Sequence, residues 1–319
     1  MPKSSPLQGK LVTLIGGSGF IGSHVAQDLL ERGARVRIAA REPEKAFKLK
    51  PLANLGQLQF VRCNAMDERS IAQCVDGSDA VVYLIGTFER NQQQLQADSA
   101  GHAAKCAAET GATGFVYISA IGADPEAETG YYRTKGDGER QVLAAFPEAT
   151  IIRPSVVFGE ESGLIPMFAD MVRFMPVMPV FGADSKFQVV WVDDVAAGVT
   201  SALEGPAKHG GKVFEAAGPE QLTMMEIHEM IADAQQRRRY FFPMPDPIAG
   251  IFAAVPMSPI NPDQLAMLKS GSTAGKGAKQ LGALGVEPKP LSLFLDRWMV
   301  RYRKQGRFGE ARMTPRSDA

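Results

Sequence analysis

The chain has 319 residues, 45% of them apolar, which is enough for a substantial core arranged as one large domain or two. Its 35 lysines and arginines balance 35 aspartates and glutamates, so it lacks the positive field that would hold it on a nucleic acid, and that class of partner is excluded. The 3 cysteines, Cys63, Cys74 and Cys106, are odd in number and unevenly spaced, which fits neither a disulfide framework nor a CxxC metal site and points to a reducing compartment.

The first apolar run, Leu11 to Ile15, is short and leads into glycines rather than a cleavage site, so a strand is expected there and not a secretory signal. Further short apolar runs at Val36 to Ala40, Gln59 to Cys63, Ala80 to Ile85, Phe115 to Ser119 and Thr150 to Arg153 alternate with amphipathic stretches of helical length. This alternation predicts an α/β fold, a Rossmann doubly wound parallel sheet over residues 8–157, with ligands bound along the edge where the strands end. Beyond Pro154 the character changes. A strand is expected at Phe187 to Val192, a helix capped by Asp194, a strand at Lys212 to Ala216, a helix at Met224 to Gln235 and a proline-rich segment from Pro243 to Pro262. Residues 158–300 read as a smaller substrate or lid region interleaved with late sheet elements, and 301–319 as a basic tail, either flexible or in contact with an acidic partner or anionic lipid. The apolar stretches Val177 to Phe181 and Ile248 to Val255 are shorter than the roughly 20 residues needed to cross a bilayer. The expected location is therefore cytoplasmic, free or peripheral on the inner face of the membrane.

The segment Gly16-Gly17-Ser18-Gly19-Phe20-Ile21-Gly22 stands between the first strand and a helix from Ser23 to Leu30. Gly16 suits a tight turn, Gly19 lets backbone approach a pyrophosphate, and Gly22 lets the helix pack closely. The phosphates would meet the helix N-terminus, where free N–H groups and the macrodipole favour anions. The second strand ends at Arg41, where an NAD-specific site places a carboxylate. A guanidinium there suits a 2′-phosphate, which favours NADP(H) over NAD(H); the alternative is a solvated Arg41 with Glu42 on the ribose.

The segment Tyr131-Tyr-Arg-Thr-Lys135 has the YxxxK spacing, and with the glycine turn and Arg41 the chain resembles the short-chain dehydrogenase/reductase superfamily. Ser119-Ala-Ile-Gly-Ala-Asp124, Tyr131 to Glu139, Ile152-Arg-Pro-Ser-Val-Val-Phe-Gly159, Phe187-Gln-Val-Val-Trp-Val-Asp-Asp-Val-Ala196 and Leu284-Gly285 extend the likeness. These blocks resemble most closely an atypical branch that contains the NADPH-binding accessory subunit of respiratory complex I, NADH:ubiquinone oxidoreductase.

The resemblance implies that Tyr131 is a general acid or base on substrate and that Lys135 holds the nicotinamide ribose and lowers the tyrosine pKa. Ser119 is the candidate third catalytic group, although alignment with extended members puts Ala120 at the usual serine place. It further implies Asn64 and Ala65 beside the adenine, Leu84, Ile85 and Gly86 on the adenosine side, and Pro154, Ser155 and Val156 on the nicotinamide side. Three functions are open: a complex I accessory-type protein with a structural nucleotide, associated with that complex or the membrane surface; a free NADP(H)-dependent oxidoreductase acting on a carbonyl or alcohol of a lipid or quinone-related molecule; or a redox-sensing binding module with neither activity nor complex I.

The histidines His24, His102, His209 and His228 lack ligand spacing, so no metal is expected. Asp193 and Asp194 are adjacent and should point apart rather than form a carboxylate pair. Arg237-Arg-Arg239 followed by Tyr240, Phe241 and Phe242 suits either a phosphate- or lipid-contacting edge or a solvated helix end before a buried strand.

Overall fold

The computed structural model describes residues 5–88, 90–160, 164–254 and 261–304. The chain divides into two compact units. The first comprises Met1–Ser155, Val192–Ala217 and Ala274–Pro288, and the second comprises Val156–Trp191, Gly218–Thr273 and Lys289–Ala319.

In the first unit, β1 (Leu11–Ile15), α1 (Phe20–Glu31), β2 (Arg35–Ala40), β3 (Leu58–Arg62), α2 (Glu68–Val75), β4 (Ala80–Tyr83), α3 (Ser99–Glu109), β5 (Gly114–Ile118), α4 (Gly130–Ala145) and β6 (Thr150–Pro154) follow one another. The chain returns to this unit with α5 (Val192–Glu204), α6 (Pro206–His209) and β7 (Val213–Ala216). Seven strands form one sheet in the order β7-β6-β5-β4-β1-β2-β3, every pairing parallel. Every residue of β1, β4 and β5 is buried, as expected of strands covered on both faces. The strand order reverses at β1, which lies between β2 and β4, so the crevice of a doubly wound sheet opens there.

One core layer joins Ile15, Tyr83, Phe115, Tyr117 and Ile151 to Ala100, Ala103, Ala104 and Ala107 of α3. Such small side chains let α3 lie close to its neighbours. Gly138 of α4 has the same use, since a Cβ there would come within 2.4 Å of the Tyr117 hydroxyl.

The second unit packs helices Leu164–Phe174, Met224–Ala234 and Ser292–Trp298 about a core that includes Phe158, Phe168, Met178, Phe187 and Ile231. Thr223 and Glu226 form a capping box at the second of these helices. A parallel ribbon pairs Val177–Val180 with Tyr240–Pro243.

Three local expectations are corrected. The single strand expected from Phe187 to Val192 is two short ones, because Lys186–Phe187 pairs antiparallel with Leu222–Thr223 while Val190–Trp191 pairs parallel with Val157–Phe158. The helix α5 begins at Val192, so Asp194 is not its cap but a buried residue of its first turn, where acidic groups complement the helix dipole. The proline-rich segment contains helix Asp246–Ala254 and leads to helix Pro262–Ser270, whose first residue is a proline behind the Asn261 cap. Proline lacks only a donor that is free at that position anyway. Among the described residues no helix is long and apolar enough to cross a membrane. Of the expected basic tail, residues 305–319 lie outside the described residues.

Candidate functional site

The glycine turn leaves β1 with Gly16 at φ +83°, a left-handed conformation that a side chain strains. Its N–H donates to the Ala39 carbonyl at 2.8 Å, which fixes the turn to the end of β2. A Cβ on Gly22 would lie 2.7 Å from the Gly17 Cα, so this glycine packs α1 against the turn itself. Gly19 caps α1 without a side-chain hydrogen bond and is exposed, and the first turn of the helix carries no carboxylate. Ser18, Phe20 and Ile21 flank it, half-buried. The arrangement is a backbone cradle with helix N–H groups at its floor, which suits an anionic diphosphate.

Arg41 follows β2 and is exposed; among the described residues its guanidinium makes no ion pair or hydrogen bond. The neighbouring Glu42 pairs with Lys45 at 3.1 Å. Arg62, at the end of β3, donates from Nε to the Arg41 carbonyl at 3.3 Å, bringing a second guanidinium to the same strand ends. Sequence reading missed this residue, although both arginines terminate adjacent parallel strands. The Asn64 side chain accepts from the Met66 N–H at 3.1 Å, closing a turn, while the Ala65 carbonyl accepts from the Ser99 hydroxyl.

Leu84, Ile85 and Gly86 continue from β4. The Leu84 N–H donates to the Ile15 carbonyl at 2.9 Å, and Ile85 lies against Gly16. A Cβ on Gly86 would approach the Tyr131 hydroxyl, the Lys135 ammonium and Gln96 at 3.6 to 3.8 Å, so Gly86 borders all three. Gln96 is also unforeseen. It lies in a π-helical turn, Gln93–Asp98, and its amide bonds Thr87 and Thr134 and so ties the loop after β4 to α4.

Tyr131, Lys135 and Glu139 recur every fourth residue along α4 and share a face. Lys135 is fully buried and donates to the Ile85 carbonyl at 3.0 Å and the Ile118 carbonyl at 2.7 Å. Burial pulls its pKa down to about 7, with Glu139 opposing the shift. Tyr131 stacks on Phe88 with ring centroids 4.5 Å apart and meets Tyr132 edge-on. The expected lowering of the Tyr131 pKa is not found. Burial pushes the phenol well up and Tyr132 adds to this, while the Lys135 ammonium is directed at two backbone carbonyls.

Ser119 is buried, and its hydroxyl donates to Glu139 at 2.5 Å. Glu139 in turn accepts from Arg153 at 2.8 and 2.6 Å in a two-pronged pair. Glu139 and Arg153 were not singled out as site residues from the sequence, yet Glu139 is four residues beyond Lys135. Ala120, the next position, offers no hydroxyl. Pro154 accepts from the Ile121 N–H at 3.0 Å and the Ser155 N–H donates to the Ala216 carbonyl at 2.8 Å. Val156 is the first residue of the second unit.

Among the described residues no group of three metal-ligating side chains occurs. Asp193 pairs with His24 across α1 and α5, so its carboxylate has a packing partner. All three cysteines are free and buried.

A family model described as NAD(P)H-binding matches residues 16–169. The mitochondrial NADH dehydrogenase [ubiquinone] 1 alpha subcomplex subunit 9 of Arabidopsis thaliana is 30% identical over 95% of this chain and 80% of its own length. A ceramide reductase of Caulobacter vibrioides is 26% identical over 61% of this chain and 62% of its own. In fold, the chain matches a Citrobacter triphenylmethane reductase solved with NADP(H), with TM-score 0.72, 15% identity, and coverage of 90% of this chain and 99% of that one. On the glycine cradle, the parallel sheet and the extent of the first of these likenesses, the chain belongs to the NAD(P)H-binding family that contains the alpha subcomplex subunit 9 of mitochondrial NADH dehydrogenase.

Proposed function

We propose that the protein is an accessory-type partner of respiratory complex I in which NADP(H) is a structural ligand. The observation that carries this reading is the state of the catalytic set. Ser119 is committed to Glu139, Ala120 has no hydroxyl, and the Tyr131 phenol is held up by burial. A site so arranged can still bind a dinucleotide. The turn from Gly16 to Gly22 would take the pyrophosphate, with Gly19, whose own N–H donates to the Gly16 carbonyl, letting the backbone approach and the N–H groups of Ser18, Phe20 and Ile21 as donors. Arg41 and Arg62 would face a 2′-phosphate, the basis for preferring NADP(H). Asn64, Ala65 and Leu84 to Gly86 would border the adenosine, and Pro154 to Val156 the nicotinamide side. Lys135 retains a third N–H for a ribose hydroxyl beyond its two carbonyl partners. The relative from Arabidopsis, named as a subunit of mitochondrial NADH dehydrogenase, supports complex I as the partner.

The test is thermal unfolding with and without NADPH, beside an assay of NADPH oxidation with carbonyl acceptors. At a hundred times its dissociation constant, NADPH should stabilise the fold by about 2.7 kcal/mol. The account expects that gain, undiminished in Tyr131→Phe, with no acceptor-dependent oxidation; turnover that disappears in Tyr131→Phe would contradict it.

A second reading, a free reductase, is favoured by the shared face of Tyr131 and Lys135 and by the ceramide reductase relative. When bound, reduced nicotinamide would supply a hydride. The Tyr131 hydroxyl, backed by Lys135, would deliver the proton to a carbonyl oxygen, and Phe88 would exclude water from the phenol.

A further inference from the structure

The run Arg237-Arg-Arg239-Tyr240 has no part in the nucleotide site, and within the second unit it meets the end of helix Leu164–Phe174. Arg239 donates from Nε to the Val172 carbonyl at 2.6 Å and from Nη2 to the Arg173 carbonyl at 3.3 Å. Arg237 reaches the Tyr302 carbonyl at 2.9 Å. The Tyr240 N–H donates to the Pro176 carbonyl, and Tyr240 pairs with Val177 across the ribbon.

These bonds collect Arg173, Arg237, Arg238 and Arg239 at one edge beside two aromatic side chains that face solvent, Phe174 at 72% and Tyr240 at 68% exposure. Among the described residues none of these arginines pairs with a carboxylate, whereas elsewhere in the unit Lys269 pairs with Asp246 at 3.0 Å and Arg303 with Asp296 at 3.5 Å. The nearest acids in sequence, Asp170 and Asp233, are exposed and make no ion pair with them. Beyond the effect of burial, the charges of Arg239 and Arg173 press the Arg237 pKa down, as expected of cations crowded without a counter-ion.

Solvent-facing Phe and Tyr beside clustered guanidinium groups match the two layers of a bilayer interface. Aromatic rings settle at headgroup level, and arginine forks hold phosphates. Val177, 49% exposed next to Tyr240, extends the apolar part. An acidic protein surface would satisfy the charges but leave the rings without apolar cover. We propose that this arginine and aromatic edge of the second unit docks on an anionic phospholipid surface. The proposal stands apart from the nucleotide reading, since neither depends on the other's residues.

The test is co-sedimentation of the full chain with phosphatidylcholine vesicles, alone or with about 30% phosphatidylglycerol, at about 0.1 M salt, where charge attraction still acts near the surface. The whole protein should bind the anionic vesicles and not the neutral ones. Each surface arginine removed should weaken binding about fivefold, so Arg173→Gln with Arg238→Gln should cost about 25-fold. Those two leave the Arg239 and Arg237 carbonyl bonds in place. Phe174→Ser with Tyr240→Ser should release the protein at unchanged Tm, and a chain ending at residue 304 should still bind. Failure of the whole protein to bind, equal binding to neutral vesicles, or loss on truncation with both double variants binding normally would overturn the proposal.

Discussion

Lys135 is the residue whose energetics are most exposed to experiment. An unfolded lysine titrates near 10.4 and this one is pulled to about 7, so between those values the unfolded chain binds more protons than the folded one. Stability without nucleotide should therefore rise as pH goes from about 7 to 10, by up to ~1.4 kcal/mol per unit, and the penalty should be largest and constant below 7. Lys135→Met should flatten that rise in urea midpoints taken from pH 6 to 10; an unchanged slope would mean the ammonium is not desolvated. Arg41→Asp tests the other end of the site. NADPH affinity should fall at least tenfold more than NADH affinity, as measured by titration, and equal losses would remove Arg41 from the 2′-phosphate. At this scale the glycines, Arg41, Tyr131 and Lys135 were legible because each belongs to a motif with local spacing. Arg62 and the bond from Ser119 to Glu139 were not, since they depend on which strand ends and helix faces meet in three dimensions.

The strand-turn-helix at the start of the chain is the element on which the nucleotide reading depends. Gly22→Ala would drive a methyl to within 2.7 Å of the Gly17 backbone and should destabilise the fold by about 1 to 3 kcal/mol. Gly19→Ala meets only the Gly16 carbonyl, at 3.3 Å, and should weaken nucleotide binding while leaving the melting temperature of the free protein nearly unchanged. Comparable loss of stability in both variants would contradict this division of roles. Strands β1, β4 and β5 were readable to within a residue or two, because fully buried parallel strands are continuous apolar runs. The run from Phe187 to Val192 misled because it is apolar apart from Gln188, but its short pieces pair with different partners and its last residue begins a helix. Helix Asp246–Ala254 was hidden by prolines that helices accept in their first turn.

At the scale of the molecule, the sequence carried the doubly wound sheet and its binding edge, since alternation of strands and helices with right-handed crossovers allows few other arrangements. The division into units follows contacts rather than chain order, with Val192–Ala217 and Ala274–Pro288 both returning to the first unit. The central claim, an accessory protein whose nucleotide serves the fold, is tested most directly by native electrophoresis of gently solubilised membranes from the source cells, with NADH:ubiquinone oxidoreductase activity stained in the gel. The account predicts that the protein migrates with that activity and carries NADP(H) at one nucleotide per chain; a free band well separated from it, with NADPH consumed on adding a carbonyl acceptor, would contradict the account and leave the reductase reading in its place.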